Sequence, residues 1–211
     1  MLTDDQIVKN LELYRSYLLS DPDPSRRDSL EKMLDVIAVE LSTAPASSRT
    51  DFHNAFPGGL VDHSLRVLKH AAKYAKALAI PAPRESIVLA SLLHDIGKIG
   101  DGDQPYYIEQ TDSWRRKNLN ELYVHNDALP FMTVGARGVF LTQKFGVRLT
   151  HDEFLAIMLN DDWILPENKP YALKEPALVH IVQTADYLAT LQEKRGETLD
   201  PVKGRVPTAA A

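Results

Sequence analysis

The stretch Ile87, Val88, Leu89, Ala90, Leu92, Leu93 is apolar on nearly every side and runs straight into His94-Asp95-Ile96-Gly97-Lys98. A segment that is apolar all round is buried all round, so the spacing predicts a core helix. Gly97 is expected to stop that helix as a left-handed C-terminal cap, which puts His94 and Asp95 in its last turn. Adjacent side chains on a helix do not face each other, yet both can reach a point beside the helix end. A metal ion is such a point, because imidazole and carboxylate both bind borderline divalent metals. The dipeptide alone is equally an exposed helix end, so the decision rests on whether other residues complete a ligand set.

The remaining periodicity is helical. Residues 4–19 read as an amphipathic helix capped by Thr3 or Asp4 and broken by Asp21-Pro22-Asp23-Pro24. A second helix is expected over about 25–41, followed by a small polar loop over 42–50. Pro57-Gly58-Gly59 is a turn signal, and a helix starting after it carries His63 in its first turn and ends before Pro81. Residues 106–133 are aromatic and show no clear period. Helix resumes over about 134–145 with Gly146 as its stop. Thr150 with Glu153 forms a capping-box pattern ahead of the next helix, which Asn160-Asp161-Asp162-Trp163 closes. Residues 164–176 hold three prolines and read as a loop. A last helix covers about 177–193 and carries Asp186 among apolar neighbours. With no strand alternation and no internal repeat, the chain reads as all-α. Residues 1–49 form an N-terminal extension packing on a core of 50–193, and 194–211 form a tail without periodicity.

Composition narrows the chemistry. The 211 residues hold no cysteine, so thiolate metal sites, disulfides and thiol nucleophiles are excluded and any metal must be bound by nitrogen and oxygen. The formal net charge of −5 weighs against broad nucleic-acid binding. No apolar stretch reaches the ~20 residues of a membrane span, and the acidic start Met1-Leu2-Thr3-Asp4-Asp5 does not resemble a signal peptide, so a cytoplasmic protein without membrane contact is expected.

His63, His94, Asp95 and Asp186 are each costly on an apolar helix unless paired or metal-bound. A lone buried Asp is ordinarily a structural one. Two His and two Asp on three core helices point instead to one shared metal. Their order and flanks, Gly-Gly-Leu-Val-Asp-His63-Ser-Leu-Arg-Val, His94-Asp95-Ile-Gly-Lys and Ala-Asp186-Tyr-Leu-Ala, resemble the signature of the HD-domain metal-dependent phosphohydrolases over roughly residues 50–193. The resemblance is closest to small HD proteins of bacteria and phages, and the first motif is also similar to that of a bacterial 3′–5′ exoribonuclease. It implies an HD-domain helical bundle, a His/His/Asp/Asp site, hydrolysis of a nucleotide phosphate ester and a homo-oligomeric assembly.

Dinuclear members of that family carry extra histidines, and one is expected near 157–161, where this chain has Asn160. His125 lacks helical context and reads as a loop histidine. One divalent transition metal (Mn, Fe, Co, Ni or Zn) is therefore expected, which favours similarity to 5′-deoxynucleotidases and deoxynucleoside triphosphate hydrolases. Lys98, one short turn past Asp95, and Arg66, one turn past His63, are candidates to hold phosphate. His53 is a candidate phosphate contact or proton donor. Asp101, Asp103 and Asp161 are candidate bases or supports for the histidines. Trp114, Arg115 and Arg116 could stack a base and hold a polyphosphate tail, with Asn160 a further substrate contact; a solvated face is the competing reading. His70, His151 and His180 read as structural. A nuclease and a catalytically silent regulatory module are the competing functions.

Overall fold

The computed structural model describes residues 1–20, 22–102, 104–161 and 165–196. The expectations for Asp103, for Asp162-Trp163 and for the tail beyond 196 lie outside the described residues.

Helices α1 (Asp4–Leu18), α2 (Arg27–Val36), α3 (Ala38–Thr43), α4 (Gly59–Ala77) and α5 (Arg84–Leu93) lead into a 3-10 turn, Ile96–Ile99. A small insertion follows, made of β1 (Tyr107–Glu109), α6 (Ser113–Asn118) and β2 (Tyr123–His125). Helices α7 (Val134–Lys144), α8 (His151–Met158) and α9 (Ala177–Lys194) complete the bundle, with a 3-10 segment Pro166–Tyr171 before α9. The all-α reading holds for the body of the molecule.

The core is built where α4 packs on α9 and α5, and where α8 closes against α9 and α5. Leu60, Val61 and Leu68 of α4, Leu89 and Leu92 of α5, and Val179, Val182 and Ala185 of α9 are all buried there. α1 joins this core through Tyr14, which is fully buried and whose hydroxyl donates to the Leu92 carbonyl at 2.6 Å. The polar capping predicted for α1 and α8 is present: Thr3 with Gln6 and Thr150 with Glu153 form reciprocal boxes. A buried network then ties three elements together. Arg26 forks onto Glu153 at 2.8 and 3.1 Å and also pairs with Glu85, while Ser86 donates to Glu153 at 2.7 Å. Among the described residues no helix is long and apolar enough to cross a membrane.

Three expectations are corrected. The helix expected over 25–41 breaks at Ile37, between α2 and α3. The β-branched pair Val36-Ile37 weakens the helix there, and the bend lets α3 pack on α1 and α4 while Leu41 stays in the same core. Residues 106–133 contain an antiparallel hairpin, with Tyr107 opposite His125 and Glu109 opposite Tyr123. Strands of three residues are too short for alternation to show, although the Tyr, Ile and Val in them favour extended backbone. Gly97 is not a left-handed cap either. It lies inside the 3-10 turn, and a Cβ there would fall 2.2 Å from the Val134 carbonyl oxygen. The glycine is needed because α7 rests its first turn directly on the His94-Asp95 segment.

Candidate metal centre

Each of the predicted ligands reaches the same point from a different element. His63 comes from the second turn of α4, His94 from the C-terminal end of α5, Asp95 from the start of the 3-10 turn and Asp186 from mid-α9. His63 Nε2 lies 3.3 Å from His94 Nε2 and 3.1 Å from an Asp186 oxygen. Asp95 Oδ2 lies 3.8 and 3.5 Å from the same two nitrogens. Ligand atoms around one ion at bond lengths of about 2.0–2.2 Å stand about 3.0–3.5 Å apart, so the His63–His94, His63–Asp186 and His94–Asp95 spacings suit a shared ion.

The ring orientations give a second test of fit. His94 Nδ1 donates to the Ser91 carbonyl at 2.8 Å, so its Nε2 presents a lone pair. His63 Nδ1 sits 3.1 and 3.2 Å from the two Glu193 oxygens, which directs its hydrogen there and leaves Nε2 for a cation. The two Nε2 atoms face each other in a buried space, and a positive charge between them, a proton on His63 or a metal ion, relieves their repulsion. Asp95 Oδ1 is also buried without a hydrogen-bond partner. Converging imidazole nitrogens with a carboxylate whose second oxygen has no partner form the donor set of a divalent metal with mixed N and O ligands.

The surrounding charges are set for this. Burial opposes a charge on His63, but Glu193 and Asp186 outweigh it and hold its pKa well above the ordinary value. Burial likewise opposes Lys98, yet Asp95 and Asp161 hold its ammonium charged. Burial raises the Glu193 carboxyl, but His63 and His53 pull it down to about 2. The Asp186 carboxyl is held below the ordinary range because His63 and His94 outweigh its burial.

Other candidates sort by what they touch. Lys98 Nζ is 2.6 Å from Asp95 Oδ2 and 3.8 Å from Asp161, so both belong to the cluster. Asn160 is buried and donates to Asp186 Oδ2 at 2.9 Å, which makes it a brace for that ligand; its Oδ1 is buried and unpaired. His53 packs against His63 with ring centroids 4.6 Å apart and the planes tilted by 54°, and shares Glu193 with it, its Nδ1 lying 2.9 Å from Oε2. This leaves the Nε2 edge of His53 for any ligand contact, and burial holds the ring below its ordinary pKa.

Arg66 is corrected from a phosphate contact to a support. Its Nε donates to Asp62 at 2.9 Å and lies 3.6 Å from Glu193, on the Nδ1 side of His63 and away from the ligand nitrogens. Asp101 is corrected too: it pairs with Lys144 of α7. Arg115 is committed to Glu121, and Arg116 donates to the Gln110 carbonyl at 3.1 Å. Among the described residues neither they nor the exposed Trp114 hydrogen-bonds to a member of the cluster. Their geometry braces the insertion between β1 and β2. His70 binds Gln192 at 2.8 Å, as a structural histidine would.

Sequence reasoning did not single out Glu193. The available signal was its spacing: it follows Asp186 by seven residues, two turns on the same face of α9.

Comparison with protein families matches the HD domain over residues 60–191. The chain belongs to the HD-domain family, the superfamily of metal-dependent phosphohydrolases, whose domains bind divalent metals. No curated protein and no solved structure matches the chain. His53 and Glu193 both lie outside the matched span.

Proposed function

We propose that this chain is a mononuclear metal-dependent phosphohydrolase acting on a nucleotide, with a deoxynucleoside mono- or triphosphate as its substrate. The observation that carries the reading is the convergence of His94 Nε2 and Asp186 on His63 Nε2, at 3.3 and 3.1 Å, with an Asp95 oxygen 3.5 Å from His94 Nε2. When bound, a divalent ion supplies a water of lowered pKa and polarises the phosphoryl group.

The chain's own residues do the rest. Asp95, Asp186 and the two imidazoles would hold the ion. Glu193 and the Ser91 carbonyl fix the two rings in the tautomer that presents Nε2. Lys98, locked on Asp95 at 2.6 Å, provides a fixed cation for the phosphate oxygens, where charge grows during hydrolysis. Asp161 stands at the exposed rim, 3.8 Å from Lys98, where it can take a proton from an attacking water. Asn160 in place of a further histidine supports a single ion, because its amide donates to Asp186 and serves as that ligand's brace.

The test is incubation of the metal-loaded protein with ribo- and deoxynucleoside mono-, di- and triphosphates, with products separated by chromatography. Nucleoside and orthophosphate from deoxynucleoside monophosphates, or nucleoside and tripolyphosphate from triphosphates, is the expected result. Turnover of oligonucleotides alone, or of no phosphate ester, would overturn it.

A further inference from the structure

The metal cluster is sealed on one side and open on the other. The side chains of His63, His94 and Glu193 have no exposed area, whereas those of Asp186 and Asp161 are 20% and 42% exposed. Among the described residues the Asp186–Asp161 rim, past Lys98, is one open way for a phosphate ester to reach the cluster. The β1–β2 hairpin stands at this rim. Gly100, with φ of +90°, pins its root: a Cβ there would fall 2.0 Å from the Gln104 carbonyl oxygen and 2.7 Å from the Tyr106 nitrogen. The hairpin thus starts against the turn that carries Lys98. Burial pushes the Tyr107 hydroxyl up to about 12 while Lys98 pulls against it, so the ammonium's field reaches this ring.

The hairpin presents a face of rings. Tyr107 lies opposite His125, and side chains alternate along a strand, so Tyr107, Tyr123 and His125 share one side. Tyr107 has its ring centroid 5.4 Å from that of His125 and 6.4 Å from that of Tyr123. Tyr106 completes the group at 4.8 Å from Tyr107 and 4.9 Å from His125. Arg137 of α7, itself 2% exposed, holds its guanidinium 5.9 Å from the Tyr106 ring centroid and donates to the Pro130 carbonyl. That contact fixes the ring group to the helix resting on Gly97. The three tyrosines are only partly buried, and His125 is exposed.

From this geometry we infer that the Tyr106–Tyr107–His125 face is the leaving-group subsite, and that it selects esters whose leaving group carries a flat aromatic base. The base stacks on the rings while its phosphate sits at Lys98 and Asp161. The inference rests on the phosphohydrolase reading and assigns the residues that select the base.

The test is calorimetric titration of the metal-loaded full chain with deoxyadenosine 5′-monophosphate and with 2-deoxyribose 5-phosphate, which lacks the base. Stacking of one base is worth about 10-fold or more in affinity. The wild type is expected to prefer the nucleotide by that factor, and Tyr107→Ala and His125→Ala to shrink the ratio towards one. His125 is exposed, so its removal tests the face without threatening the fold. Equal affinity of the wild type for both ligands would overturn the inference, as would variants that weaken both in proportion. Preferential binding without hydrolysis would leave the subsite standing and remove the phosphohydrolase reading. Hydrolysis of both esters at equal kcat/KM would do the reverse.

Discussion

Both nitrogens of His63 are committed, one to the ligand cluster and one to Glu193, and this makes Glu193 an orienting residue for the metal. Removing a carboxylate that orients a ligating histidine typically costs about 10–100-fold in metal affinity. Glu193→Ala is therefore expected to weaken metal binding by that factor in a competition titration with a chelator, while the far-ultraviolet circular dichroism stays that of a helical protein. An unchanged metal affinity would reduce Glu193 to a packing residue. The four proposed ligands stood out because each is an ionisable residue in or at the end of an apolar helix, a placement that needs an explanation. Glu193 was less legible because it sits at the ragged end of α9, where a charged residue needs none. Arg66 was misread for a related reason: spacing from His63 places it on a nearby face but does not say which edge of the imidazole it stands behind.

Among the elements, the joint between α7 and the 3-10 turn is the tightest that serves the site. Gly97→Ala would push a methyl against backbone at 2.2 Å, where no side chain can yield. A loss of about 1–3 kcal/mol in urea unfolding is expected, as for other overpacked sites, together with weaker metal binding as His94 and Asp95 shift. The Arg26–Glu153 pair ties α2 to α8 far from the metal. Glu153→Ala leaves a buried guanidinium without its fork and should cost about 3–5 kcal/mol. Burial raises the Glu153 carboxyl, but hydrogen bonds from Arg26, Thr150 and Ser86 outweigh it and hold the pKa below the ordinary value. A depressed folded pKa means the pair's stabilisation is complete above the ordinary carboxylate value and is lost as pH falls through the folded one. The stability gap between wild type and Glu153→Gln should thus be widest near neutrality and close below about pH 4. The capping box at Thr150 was readable directly, since it is a local pattern. The break at Ile37 and the hairpin were not, because the first answers to packing against α1 and α4 and the second to pairing across the intervening α6.

For the whole molecule, α1 and the bundle form one packed body through Tyr14 and the Leu92 carbonyl, so ligand binding at the centre should stabilise the entire chain. Metal at about 100 times its dissociation constant adds about 2.7 kcal/mol, which for a chain of this size is a rise in Tm of about 5–10 °C. The helical class of the fold followed from periodicity, and the candidate site from three separated motifs; what lies between them, residues 106–133, carries the proposed base-stacking rings and had no period to read. The most direct test of the central claim is the metal content of the purified, metal-loaded protein, measured by elemental analysis for the wild type and for His94→Ala and Asp186→Ala. One divalent ion per chain in the wild type and none retained in either variant is the predicted result. Two ions per chain, or an ion kept after loss of either ligand, would contradict a single centre built from His63, His94, Asp95 and Asp186.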